Sequence, residues 1–390
     1  MNRTHCSVRG GCGLFYGQIE TEFRRALGAS APFYNRVSIT NPPFPNPGQA
    51  LASGALGRLQ PLAIFQSPDI PTNLQYNLTI EQRVARDAVI RVAYVGSHGF
   101  HLVRDTNPPI PVPVRNAAGR LQIAQTPRNP NLSGAATFHV WDAQSFYNSL
   151  QLELDKRLSR GLQFHAAFTW AKAIDESIEP NSSNTAVSAS ATMSTDHRFD
   201  RGLAGYHMGR RLVMNWTYDL PLADRKGLAG AVPSGWQLSG ILQAQDGFPF
   251  SVFAGIPRSF SPNNASQAQD RPDANPFQRE RIALGGPDLY YDPSAYLLQP
   301  AGTLGNVGSG TLRGPAQVTA DVSIAKDFPV TERFRLQFRA DAFNLLNRAN
   351  FGMPNNQLFS ATGQRLGSAG VIQSTSTTSR EFQLALKLIF

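Results

Sequence analysis

Cysteine, long apolar runs and clustered charge are all scarce in this chain. The only cysteines among 390 residues are Cys6 and Cys12, in "HCSVRGGCG". Their spacing is too long for a redox C-x-x-C pair and no second pair completes a zinc site, so they read as incidental thiols. No run of about eighteen consecutive apolar residues exists, which excludes a transmembrane helix. The opening "MNRTHCSVRGGCGLFYGQIE" has no apolar core of the kind a secretory signal needs. Lysine and arginine outnumber aspartate and glutamate, 36 to 27, for a net charge of +9. The arginines are scattered singly, without a basic run or basic helix, so no nucleic-acid partner is expected.

Signs of catalysis are equally sparse. There is no nucleophile elbow of the G-x-S-x-G kind. "GNVGSG" at 305–310 lacks the Lys-Ser/Thr ending and the strand-to-helix setting of a phosphate loop, and reads as a flexible loop. His98, His101 and His197 are expected on loop surfaces, because no third ligand with matching spacing accompanies them. The tyrosines of "DLYYDPSAYLLQPAG" at 288–302 are expected to pack within an external loop in preference to stacking on a sugar or aromatic solute. No catalytic, cofactor-binding or metal-binding residue is expected, and the chain is not read as an enzyme.

What the sequence does contain is alternation. Hydrophobic residues make up 41% of it, which excludes global disorder, and its 33 glycines and 28 prolines cluster between apolar runs. That is the punctuation of an all-β protein. In "LQYNLTIE", Leu74, Tyr76, Leu78 and Ile80 share one face and Gln75, Asn77, Thr79 and Glu81 the other. "VIRVAYVG" aligns Ile90, Val92 and Tyr94. "SLQLELDKRLSRGLQFHAAFTWA" reads as a hairpin turning at "LSRG". "RLVMNWTYD", "GWQLSGILQAQ", "VTADVSIAKD", "RFRLQFRADAF" and "EFQLALKLIF" follow. These are nine clear strands, with "VRGGCGLFY" a tenth. Clear strands begin near residue 74; residues 1–73 are read as a first strand and a long loop.

The connections between strands alternate in length. Short ones fall at 82–87, 157–161 and 327–332, with 220–235 somewhat longer. Long ones fall at 98–145, 173–210, 248–316 and 345–380. Long structureless loops argue against a compact soluble domain. In an outer-membrane barrel, short periplasmic turns and long extracellular loops are the rule. The predicted fold is therefore an antiparallel transmembrane β-barrel, or a portion of about nine to ten strands of a larger one.

Charge then chooses the lipid face. In "RFRLQFRAD", Arg333, Arg335, Arg339 and Asp341 oppose Phe334, Leu336 and Phe338. An arginine facing hydrocarbon near the midplane costs about 2–4 kcal/mol. Arg333, Arg335, Arg339, Asp341, Glu153 and Asp155 are accordingly expected to face a wet lumen, with Asp321 and Arg91, and the apolar sides to face lipid. Trp236, Tyr218 and Phe390 near the short turns, and Tyr94 and Trp170 near the opposite boundary, suit two interfacial belts. A soluble β-sandwich would alternate as well, with its apolar face turned into a core.

The ordered segments "YVGSHGFHL" (94–102), "YNSLQLELDKRLSRGLQFHAAFTWAKAID" (147–175), "GWQLSGILQAQDGFPFSV" (235–252), "GTLRGPAQVTADVSIAKDFPVTERFRLQFRADAFNLLNRANFGMPN" (310–355) and "EFQLALKLIF" (381–390) resemble the C-terminal barrel of TonB-dependent receptors, in particular the Oar-like acidobacterial group. The resemblance implies a multi-pass protein of the cell outer membrane of a Gram-negative-type bacterium, importing bulky solutes. It also implies a plug region and a TonB complex as partners, besides outer-membrane lipid. The last strand, with Phe382, Leu384, Leu386, Leu388 and the terminal Phe390, resembles the signal read by the barrel assembly machinery. The plug, coupling segment and signal peptide of that family are missing here, so the chain is expected to be the last part of a longer receptor, without gated transport of its own. A passive structural or adhesive outer-membrane barrel, and a soluble β-sandwich binding module or enzyme, are the alternative readings.

Overall fold

The computed structural model describes residues 6–18, 62–64, 69–106, 111–126, 137–176, 195–221, 234–261, 270–278, 280–331 and 333–390, with a few isolated positions between them. Most of the predicted loop between 17 and 71 lies outside the described residues.

Ten strands form one antiparallel sheet: β1 (Cys6–Tyr16), β2 (Thr72–Arg83), β3 (Ala88–Thr106), β4 (Thr137–Ser159), β5 (Leu162–Asp175), β6 (Arg210–Asp219), β7 (Trp236–Gln245), β8 (Gln317–Pro329), β9 (Arg335–Phe343) and β10 (Glu381–Ile389). Each pairs with its neighbours in chain order, an uninterrupted meander. Among the described residues β1 pairs only with β2, and β10 only with β9, so the sheet does not close on itself. Short segments Leu62–Ile64 and Gly202–Leu203 add to β4 and β5. Among the described residues no second sheet of comparable size covers this one, and that removes the β-sandwich reading.

The register keeps the two faces apart across the whole sheet. One row runs Val8, Ile80, Val92, Leu152, Phe168, Leu212, Ala244 and Val318. Another runs Leu162, Tyr218, Leu238, Ile324, Ala340 and Leu384. A slip of one residue within these rows would turn the remaining strands over; the register shifts lie outside them, between Gly99 and Val103 on β3 and between Lys156 and Ser159 at the end of β4. Two rings lie across glycines of adjacent strands: a Cβ on Gly96 would meet the Tyr76 ring at 2.2 Å, and one on Gly240 the Trp216 ring at 2.4 Å. Those glycines leave room for interfacial-sized side chains on the same apolar face.

Sharp turns follow from local chemistry. Arg160 (φ 49°) and Gly161 (φ 78°) supply the two positive φ values of a two-residue hairpin joining β4 to β5. At the same end of the sheet, Lys156 reaches Asp87 in the β2–β3 turn. That hydrogen bond holds the Asp87 carboxyl down at about 2.

Two strands differ from expectation. β3 has 19 residues and β4 has 23, whereas a tilted span needs about 9–11. Both continue well past that length on the long-loop side. His98 and His101 therefore lie in β3 and not on a loop. His98 stacks on Phe146 of β4 with centroids 4.2 Å apart. His101 takes a positive φ of 55° where the β3–β4 register shifts. Alternation breaks at such a bulge, which is why periodicity ended the strand early.

The buried core sits in the loops. Phe250, Val252, Tyr291, Tyr296, Leu312, Leu358 and Phe359 form one cluster drawn from the β7–β8 and β9–β10 connections. Ile123, Met193 and Leu304, from three different connections, form a second. The long connections thus make a packed layer over one end of the sheet. "GNVGSG" belongs to it: a Cβ on Gly305 would sit 1.9 Å from the Arg271 carbonyl, and Val307 and Ser309 are buried. The expectation of a flexible loop there is corrected, since close backbone approach and not freedom explains the glycine. Tyr291 and Tyr296 are core residues; burial, with the Asp292 charge, raises the Tyr296 hydroxyl to about 12.

Candidate functional site

The candidate site is the wall itself: one apolar face, one polar face and the loop layer at one end. On the polar face, Arg91 contacts both Glu81, at 3.3 Å, and Glu153. His165 lies 3.7 Å from Glu153 and 3.9 Å from Asp155. Toward the other edge, Arg339 donates to Asp341 at 2.8 Å and to Ser323 at 3.1 Å, and Gln337 to Asp327 at 2.9 Å. The register puts Asp155, His165, Asn215, Ile241 and Asp321 in one row. Thr217, Ser239, Ser323, Asp341 and Gln383 form another. The structure therefore collects Glu153, Asp155, Arg335, Arg339 and Asp341 on one face. Arg333 is the exception: it lies in the turn before β9, where its amide donates to the Thr331 hydroxyl at 3.3 Å. Thr331 bonds two successive amides, so the hairpin loop ends two residues later than alternation indicated.

On the opposite face, Phe382, Leu384, Leu386 and Leu388 stand opposite Ala342, Ala340, Phe338 and Leu336. They are 55–71% exposed, and Phe390, just past the end of β10, is 92% exposed. Phe334 is also exposed, at 43%. Surface this apolar and this continuous is foreign to a water-facing protein.

Lys326 sits on that apolar face, a position sequence reasoning passed over. It falls between the rings of Trp236 and Phe328, its Nζ 4.9 Å from each centroid, and donates to the Ser234 carbonyl at 2.6 Å. Its stem lies along apolar neighbours while its ammonium bends to the short-turn end, where polar backbone is available. A lysine ending an apolar alternation beside a turn was the signal.

Buried polar pairs fasten the loop layer. Asp200 and Arg271 meet at 2.6 Å, and Arg271 also donates to the Phe199 carbonyl at 3.1 Å. Asp270 accepts from the amides of Arg258 and Ser259 and from the Ser259 hydroxyl, at 2.5–2.7 Å. His197 pairs with the buried Glu176 at 2.6 Å, so it is partly buried and engaged, and not a loop-surface residue. His207 accepts from the Ala173 amide at 3.1 Å, and burial together with the Arg313 charge lowers its pKa. No group of three or more histidine, cysteine or carboxylate side chains suited to a metal occurs among the described residues. Cys6 and Cys12 are free thiols.

Comparison with known proteins agrees with this geometry. A family model described as outer membrane beta barrel domain matches residues 1–383. The fold is similar to the outer membrane transporter YddB from Escherichia coli, with TM-score 0.50 and 11% identity; the alignment covers 100% of this chain and 39% of that one. Looser likenesses include the pyoverdine outer membrane receptor FpvA from Pseudomonas aeruginosa (TM-score 0.42, 9% identity, 100% of this chain and 34% of that one) and the siderophore receptor PiuA from Acinetobacter baumannii (TM-score 0.38, 9% identity, 83% and 29%). This chain thus spans well under half the length of these structures. No curated protein matches it in sequence.

Proposed function

Because the chain belongs to the outer membrane beta barrel domain family, we propose that it forms the barrel wall of a TonB-dependent receptor for energy-coupled uptake of bulky solutes. It is a multi-pass outer-membrane protein. In this reading the Leu152–Phe168–Leu212 side meets acyl chains, and the Arg91–Glu153 and Arg339–Asp341 side lines the lumen. The observation that carries it is the separation of one apolar and one polar face, kept by the rows of paired residues across ten strands, with every long connection at one end. A conserved hand of the pleat over so many pairings has no use unless the two faces meet different solvents.

The sheet's open edges leave unpaired backbone groups, each costing several kcal/mol in hydrocarbon. Closure by further strands removes that cost, so residues 1–390 by themselves are not the transporting unit. Solved relatives in fold are described as receptors for siderophores and as an outer membrane transporter, and a scarce chelated nutrient fits the same role here. The test is uptake of ferric siderophores, copper chelates and oligosaccharides by cells carrying the complete gene product, with and without the TonB protein. Import of at least one solute that stops without TonB supports the proposal. Import indifferent to TonB, or import by residues 1–390 alone in liposomes, overturns it.

A further inference from the structure

A cavity of about 490 Å³ opens on the apolar face at its long-loop end. Its floor is a single register row: Tyr94, Leu150, Trp170, Arg210, with Asp246 next to Arg210. Trp170 is 62% exposed and Tyr94 47%. One step farther from the midplane on β5 stands Lys172, exposed, lining the same cavity with Arg313. Such a position is odd for cations, since they share a face with leucine, phenylalanine and methionine.

The charges there do not cancel. Arg210 grips Asp246 through two bonds, 3.0 and 3.1 Å, and Arg313 approaches the same carboxylate at 3.6 Å. The Lys172 amine makes no hydrogen bond or ion pair with any described residue, and it adds to the positive field that lowers His207. Three cations face one carboxylate beside an exposed indole. At the loop-side interface of an outer membrane, the neighbouring leaflet carries phosphorylated glycolipid. Aromatic rings settle at headgroup depth and lysines or arginines there attract anionic headgroups.

We propose that this cavity is a binding site for the phosphate of an outer-leaflet glycolipid headgroup, with Lys172 and Arg313 as its charge partners and Trp170 against the first acyl carbons. The proposal rests on the apolar face being the lipid face. Asp246 offsets part of the positive field of Arg210 and Arg313.

The test uses the full chain in nanodiscs doped with bisphosphorylated lipid A or with its dephosphorylated form, with bound lipid counted by native mass spectrometry. Lipid A with phosphates is expected to be retained over the dephosphorylated form, and K172Q to weaken retention about fivefold. D246N is expected to strengthen it, a gain that misfolding cannot produce. Equal retention of the two lipids, or no change in K172Q, overturns the proposal. So does displacement by inorganic phosphate alone, which would make this a site for a soluble anion. A separate reading checks the premise: brominated acyl chains are expected to quench the fluorescence that W170F removes. If they do not, the face assignment falls and this site falls with it; if they do while phosphate selectivity is missing, the site alone is refuted.

Discussion

The Arg271 guanidinium lies 2.6 Å from the Asp200 carboxylate, each side chain no more than 4% exposed, and the pair joins two connections more than seventy residues apart. Asp200 also accepts from the Thr192 amide at 2.7 Å, and Arg271 lies over the Phe199 ring. Loops so fastened behave as a packed layer. Removing one partner leaves a buried charge uncompensated, at about 3–5 kcal/mol. Asp200→Asn is therefore expected to open the loop layer to limited proteolysis and rapid amide exchange, with the strand amides still protected. Uniform loss of protection in strands and loops alike would show that the layer is not a separate unit.

Face assignment gives a second expectation. Phe168→Arg puts a cation in the Leu152–Leu212 row and should lower stability in a bilayer by about 2–4 kcal/mol. Its neighbour Thr169→Arg points to the other face and should change it far less. Urea unfolding in phospholipid vesicles measures both. Equal effects would contradict a lipid-facing apolar side.

The β4–β5 hairpin makes a third. Gly161 has φ 78°, and a Cβ there would meet the Asp219 carbonyl oxygen at 2.5 Å. Left-handed backbone costs a side-chain-bearing residue roughly 1–2 kcal/mol, and the close contact adds to it. Gly161→Val should slow assembly of the sheet, seen as a larger fraction of heat-unmodified band migrating as unfolded chain. Gly119→Val, at φ 74° with open space around it, should show only the backbone part of the effect.

Acid should loosen the β5–β6 junction. His207 has its pKa lowered by burial first and Arg313 second, and its Nδ1 accepts the Ala173 amide. A folded value below the unfolded one, about 6.5, means the contribution is present above the unfolded value and lost as pH falls through the folded one. Exchange at the Ala173 amide is thus expected to rise relative to its intrinsic rate between neutral pH and pH about 5. His207→Gln should flatten that dependence. Unchanged protection across the range would refute the assignment.

Much of this protein was legible in its residues. Alternation located nine of the ten strands and left the glycine-rich first one as a further candidate, and the cost of arginine in hydrocarbon separated Arg335, Arg339 and Asp341 from Leu336 and Phe338 before any register was known. The same reasoning failed at Arg333, held in the turn by Thr331, and at His98 and His101, beyond which β3 runs on through a bulge. Local pattern sees neither a side chain that caps a turn nor a register shift.

What residue order determined by itself is the strand set and the two kinds of face, because a strand's pleat is local and its period is two. Only the tertiary structure decided that the long connections pack on one another, that Tyr291 and Leu358 share a core, and that Lys172 and Arg313 meet around one cavity. Those contacts join segments far apart in the chain through irregular backbone, which has no period to read.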